Sequence, residues 1–233
     1  MGLKKSGLRG SLQNVSVGID AIPDIENVQE LHRSEDIDSE IGSTINSWPD
    51  ASNNDFNLDT VSGSPTLEED SNGNRYVLFD IDDYIFHSDE VSNPQPSEIW
   101  IKAQLETTDG STQFIHAVGA DEDASGDAAY RLQSNNGNFA IFSGEVLTGG
   151  SEDANLNTFG SIFDGSNSVL EINGTEQATG DVGDRFGEDS FYLGANVGGA
   201  SGANVRVYEV IVYQNRDDDR RSNIRDYLSR HDS

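Results

Sequence analysis

EIWIKAQL, residues Glu98 to Leu105, decides the fold. Ile99, Ile101, Ala103 and Leu105 alternate with Trp100, Lys102 and Gln104, the period of a strand whose successive side chains point to opposite faces. The same texture extends in both directions. RYVLF (75–79) and YIFH (84–87) flank an acidic turn upstream, and QFIHAVG (113–119), AAYRLQ (128–133) and NFAIFSG (138–144) follow downstream. NTFGSIFDG (157–165), SVLEING (168–174), SFYLGAN (190–196) and VRVYEVIVYQN (205–215) complete roughly ten short strands. Turn chemistry such as Asn135-Asn136-Gly137 and Asn173-Gly174 separates them, and no βαβ alternation interrupts them. The pattern predicts an all-β fold, an antiparallel β-sandwich of jelly-roll type. One helix is expected at the end: Asp217, Asp218 and Asp219 offer an N-terminal cap, and Ile224, Tyr227 and Leu228 share a face that should close one side of the sandwich.

The chain has 233 residues, no cysteine, and 42 acidic against 14 basic residues, a formal net charge of -28. There is therefore no disulfide framework, thiolate metal site or thiol nucleophile. The acidic blocks lie among patterned segments, so the charge belongs to the surface of a folded body. Such a body repels itself in dilute buffer, whereas at molar salt the Debye length falls to about 3 Å and the repulsion is screened. Only three of the cations are lysines, at Lys4, Lys5 and Lys102. The composition resembles that of proteins from extremely halophilic archaea and their viruses. Nucleic-acid binding is not expected, because phosphate contacts need clustered cations. Membrane insertion is not expected either, since no run approaches the roughly 18 apolar residues of a spanning helix.

Residues 1–45 lack sustained periodicity and read as an extended arm and linker, with the patterned domain at 46–233. Lys4, Lys5 and Arg9 oppose the sign of everything that follows, and no apolar run long enough for a secretory signal comes after them. The arm is read as an anchor: Lys4, Lys5 and Arg9 would enter an acidic groove on a partner, with Leu3, Leu8 and Leu12 adding apolar contacts.

WPDASNNDFNL (Trp48 to Leu58) resembles the WxDxSGNGNDL opening of laminin-G-like, concanavalin A-like lectin/glucanase domains. FDIDDYI (79–85) is similar to their FDGxDDYL hairpin, with Ile81 in place of a turn glycine and a loop shorter by one residue. SVLEINGTEQATG (168–180) resembles the family's strand, NG, strand element, and YEVIVY (208–213) before a helix its EVxVYxR ending. The resemblance covers about 46–230 and implies a concanavalin A-like jelly roll. MGLKKSGLRGSLQNVSVGIDAIPD resembles the leader of structural and tail-associated proteins of haloarchaeal tailed viruses, which implies attachment of an exposed domain to a particle.

Glycosidases of this superfamily carry an ExDxxE strand that sets carboxylates about 5 to 5.5 Å apart. That spacing does not occur within the domain; Asp36-Ile37-Asp38-Ser39-Glu40 is its nearest echo and falls in the linker. No catalytic residue is therefore assigned. The four histidines, His32, His87, His116 and His231, show no ligand spacing and read as ordinary strand or surface residues. Calcium is the one cofactor considered, through Asp80, Asp82 and Asp83, although their spacing fits no calcium-loop pattern and loose surface ions are the preferred reading. Trp100 and the loop carrying Asp121, Asp123 and Asp127 are the candidate contacts for a sugar.

The expected protein is a non-catalytic virion structural and adhesion component of a haloarchaeal tailed virus, a capsid decoration or tail fibre. It would meet other virion proteins through its arm, form a homo-oligomer and contact cell-surface glycans. A glycan-binding module of a haloarchaeal cell envelope is the alternative, and a glycoside hydrolase ranks last.

Overall fold

A computed structural model describes residues 22–88, 94–119, 128–185, 190–199 and 201–232. In chain order the first strands are β1 (Val28–Arg33), β2 (Ser43–Thr44), β3 (Thr60–Ser62), β4 (Thr66–Glu69), β5 (Arg75–Phe79) and β6 (Tyr84–His87). The central ones are β7 (Ser97–Leu105), β8 (Gln113–Gly119), β9 (Tyr130–Asn135), β10 (Asn138–Phe142) and β11 (Val146–Ser151). The last are β12 (Asn157–Phe163), β13 (Ser168–Ile172), β14 (Thr175–Gly180), β15 (Ser190–Leu193) and β16 (Val205–Tyr213), before helix α1 (Arg221–Leu228). No helix among the described residues is long and apolar enough to cross a membrane.

Two antiparallel sheets form the sandwich. The nine-stranded sheet runs β14-β13-β12-β7-β16-β5-β4-β2, with β1 also on β16; the seven-stranded sheet runs β11-β10-β9-β8-β15-β6-β3. The alternation of EIWIKAQL places Ile99, Ile101, Ala103 and Leu105 in the main core between the sheets. Aromatic pairs bridge the layers there, with Tyr130 stacked on Phe163 at 4.5 Å and Phe139 edge-on to Phe159 at 4.8 Å. The Asn-Gly turns work as their sequence demands: Asn136 and Gly137 (φ 52° and 77°) join β9 to β10, and Asn173 and Gly174 (φ 50° and 77°) join β13 to β14. Both central residues of each turn are left-handed, the geometry that matches strand twist in a two-residue hairpin.

Three expectations change. The segment before residue 46 is not all arm, because Val28–Arg33 is a buried strand paired with β16 (Leu31 opposite Ile211, Arg33 opposite Glu209). The Trp48 to Leu58 motif secures it: the Asp50 carboxylate accepts the backbone N–H of Leu31 (2.9 Å), Ser52 (2.8 Å) and Phe56 (3.0 Å). FDIDDYI is not a hairpin, since β5 and β6 lie in different sheets and the turn at Ile81-Asp82 carries the chain across the sandwich. The helix begins after the aspartates, with Arg220 at its N-cap making no side-chain cap bond, while Asp218 pairs with Arg221 at 2.8 Å.

The expected helix face is the one buried. Ile224, Tyr227 and Leu228 pack on the outer face of the nine-stranded sheet against Trp100, Ile162, Val169, Ile211 and Tyr213. Trp100 is therefore wholly buried, and its indole N–H donates to Glu98 Oε2 at 3.1 Å. It is a packing residue and not a sugar contact: the helix covers the face on which its position in the strand places it. Gly160 lies opposite it, and a Cβ there would meet the indole at 2.7 Å.

Trp100→Ala is expected to lower stability by about 3–5 kcal/mol, and Gly160→Val by about 1–3 kcal/mol through overpacking. Denaturant titration at molar salt checks both; an unchanged midpoint for Trp100→Ala would contradict the buried placement.

Candidate functional site

Among the described residues, a groove lined by converging polar groups lies on the outer face of the nine-stranded sheet, beside the C-terminal turn. It originates in a β-bulge. The register of β16 against β7 shifts between Val207 and Glu209. Val207 and Val210 both face the core, and Tyr208 and Glu209 are left on the outer side. Bulges re-aim side chains in this way and recur beside functional sites.

Each re-aimed residue has a distinct task. Glu209 is fully buried and takes hydrogen bonds from the Tyr227 hydroxyl (2.7 Å) and Arg230 (2.6 Å), with His231 Nε2 at 3.0 Å. That cluster fixes the end of α1 and the turn after it. Tyr208 forms the groove floor with Tyr76, ring centroids 5.3 Å apart, and lies 5.5 Å from the His231 ring. The Arg206 guanidinium sits 5.0 Å above the Tyr76 ring and is held by Glu106 at 2.6 Å.

These groups enclose a cavity of about 540 Å³, whose walls add Glu69, Asp70, Asn72, Gln104, Leu156 and Asp232. Burial of the Tyr208 phenol, reinforced by the Asp70 charge, pushes its pKa up to about 12, so it remains a neutral hydrogen-bonding group. Burial works against ionisation of Asp70, but hydrogen bonds from Asn74, Asn72 and Tyr208 outweigh it and hold its pKa below the usual carboxylate range. Asp232 accepts from Lys102, a buried lysine, at 2.5 Å. The set offers amides, carboxylates, a guanidinium and phenols on a partly apolar floor, the mixture that recognises hydroxyl-rich ligands.

A second cavity of about 470 Å³ adjoins the first and shares Leu156 and Asp232 with it, continuing past Thr158, Asn173 and Gly174 to Arg225 and Ser229 on the helix side. On the outer face of the other sheet Tyr192 and Ala117 pack with Ala128 and Val197, and Arg131 lies over Phe142 at 3.9 Å and over Phe114 at 5.3 Å.

Of the sites expected from sequence, Asp121, Asp123, Asp127 and the arm residues Leu3, Lys4, Lys5, Leu8, Arg9 and Leu12 lie outside the described residues. Asp80, Asp82 and Asp83 do not converge as calcium ligands. Both oxygens of Asp83 are taken by backbone N–H groups, of Ser64 at 2.7 Å and Asp80 at 3.1 Å, while Asp80 and Asp82 are exposed. Among the described residues no group of three His, Asp or Glu is arranged to hold a metal ion.

Three of the histidines are strand residues, as expected, but in the interior and not at the surface. His32, His87 and His116 are buried around the Phe191 ring at centroid distances of 6.4, 6.4 and 5.9 Å. Glu30 joins them from β1, its Oε2 3.4 Å from His32 Nε2 and 3.2 Å from His87 Nε2. Burial alone would raise the Glu30 pKa, but the two imidazoles overcome it and hold the value down to about 2. Neither nitrogen of His116 has a hydrogen-bond partner among the described residues, and burial lowers its pKa to about 3. The three come from separate strands, so no local spacing announces them.

No family model matches the chain, and no curated protein matches it in sequence. Its fold is similar to that of solved structures. Trypanosoma rangeli sialidase in complex with sialic acid superposes with a TM-score of 0.58 at 12% identity, over 90% of this chain and 34% of the sialidase. The binding domain of botulinum neurotoxin DC in complex with SialylT gives 0.58 at 10% identity, over 88% of this chain and 52% of that one. The receptor-binding domain of botulinum neurotoxin C/D mosaic serotype gives 0.57 at 11% identity, over 87% and 51%. The chain thus spans about a third of the sialidase and half of the toxin domains. At these identities the likeness establishes a β-sandwich fold.

The interior cluster contributes to the acid response. In the unfolded chain His116 binds a proton near its ordinary pKa of 6.5, whereas the folded protein keeps it neutral to about pH 3. Stability is therefore expected to fall as pH drops below 6.5, by up to about 1.4 kcal/mol per pH unit from this group. Glu30 adds a further loss between its unfolded value of 4.5 and about 2. Thermal unfolding of wild type and His116→Leu from pH 7 to 4.5 checks the sign; an equal slope in both proteins would remove His116 as the cause.

Proposed function

We propose that the chain is a non-catalytic carbohydrate-binding β-sandwich module whose ligand occupies the groove over Tyr76 and Tyr208. The observation that carries this reading is the convergence of Arg206, Asn72, Gln104, Asp70 and Asp232 on one cavity floored by two tyrosines. The lectin-like architecture shared with proteins solved in complex with sialic acid and with SialylT supports it. A glycosidase working through two carboxylates needs one of them to stay protonated as the acid. Here Asp70 is held in its ionised form and Asp232 is bonded to Lys102, which supports binding without hydrolysis.

Glycan-array screening of the full chain at molar salt, beside Asn72→Ala and Gln104→Ala, tests the reading. Both side chains stand in the cavity wall without being buried in the core. Each substitution should leave the fold intact and weaken binding about tenfold, or about 1.4 kcal/mol. Retention of no glycan by the wild type, or unaltered binding by both variants, would refute it.

The setting we propose is the surface of a haloarchaeal tailed virus, with the cell envelope of such a host as the alternative. Its support is the net charge of -28 together with the leader resemblance. Mass spectrometry of density-purified particles in molar salt should find a fixed copy number; enrichment in the host envelope fraction instead would favour the alternative.

A further inference from the structure

The two cavities adjoin at Leu156 and Asp232, which line both, and together are called the trough. The second has its own polar equipment in Asn173, Arg225 and Ser229, and its opening rests on Gly174. A Cβ at that left-handed residue would press on the Arg225 side chain at 3.1 Å.

The charges along the trough are unequal. Glu69, Asp70, Asp226 and Asp232 line it. Each cation that borders it already has a carboxylate: Arg206 is held by Glu106 at 2.6 Å, Arg225 by Glu171 at 3.0 Å and Lys102 by Asp232 at 2.5 Å. His231 faces Glu209 at 3.0 Å. An acidic sugar would add a negative charge beside four lining carboxylates, facing cations whose charge is already matched by Glu106, Glu171 and Asp232. Like charges placed side by side oppose binding, most strongly at low salt. Hydroxyl groups have no such conflict, since they can donate to the carboxylates and accept from the amides.

We infer that the trough takes a linear, non-acidic oligosaccharide long enough to pass Asp232 and fill both cavities, and that it refuses sialylated chains. This rests on the carbohydrate-binding reading and specifies its ligand. It also separates this chain from its structural neighbours, some of which were solved with a sialic acid or a sialyl ligand.

The test is calorimetric titration of the full chain, at the lowest salt that keeps it folded. The probes are gluco-, manno- and galacto-oligosaccharides of two to six units, each also with a terminal sialic acid. For the series that binds, affinity should rise at least about tenfold from two units to four, and the sialic acid should reduce it by a similar factor. Ser229→Trp, at an exposed position bordering only the second cavity, should abolish the gain with length and leave the two-unit ligand unaffected. Length-independent binding, or preference for the sialylated chain, would overturn the inference while leaving carbohydrate binding intact. Failure of every saccharide to bind would overturn both.

Discussion

Buried carboxylates hold the outer layer of this protein in place. The nine-stranded sheet is wide, and a single helix of eight residues covers part of its outer face. Apolar contact with Trp100, Ile211 and Tyr213 draws the helix onto the sheet, and the carboxylates decide where it stops. Glu98 accepts from the Trp100 indole, the Asp217 backbone at 2.7 Å and Arg220 at 3.3 Å; Glu209 gathers Tyr227, Arg230 and His231; Glu171 takes Arg225. A buried carboxylate that loses one of its partners becomes strongly destabilising, commonly by 3–5 kcal/mol. The helix and the turn behind it therefore have one well-defined seat, and the groove takes its shape from that seat.

The same arrangement suits a chain of net charge -28. Salt screens charges that face solvent but reaches buried pairs far less, so molar salt relieves repulsion among surface acids and leaves the Glu98, Glu171 and Glu209 anchors at work. Lys102, the one lysine among the described residues, is itself buried. The described surface carries its positive charge as arginine, mostly clamped by neighbouring carboxylates, as Arg216 is by Asp218 and Asp164. Cations are thus spent on defined geometry, and the unmatched acids remain outside.

What the sequence made legible follows from which signals are local. Strand periodicity and Asn-Gly turns act within a few residues, and RYVLF, YIFH and QFIHAVG are strands at the positions where their alternation places them. The strand VQELHR was hidden because both of its faces are covered. Leu31 turns toward the helix, while Glu30 and His32 turn inward to a histidine on the opposite sheet, so polar residues occupy core positions and the alternation disappears. Trp100 misled for a related reason: the helix that buries it lies more than a hundred residues away in the chain. The bulge at Tyr208 left no sign, since YEVIVY reads equally well as an uninterrupted strand.

The bulge also explains why fold and ligand can part company. A sandwich of this type supplies rigid strands and a choice of surfaces, and recognition depends on what a few residues present at one of them. Here a single extra residue in β16 brings Tyr208 to the floor and Glu209 to the anchor together. Because Glu209 also holds His231 and Arg230, the charges that fix the groove are consumed in building it. Carboxylates, amides and phenols, with the Glu106-paired Arg206, are what the groove presents. A surface assembled in that way is acidic by construction, and on the reading proposed above that favours hydroxyl-rich ligands over anionic ones, whatever a sandwich of this kind binds in other proteins.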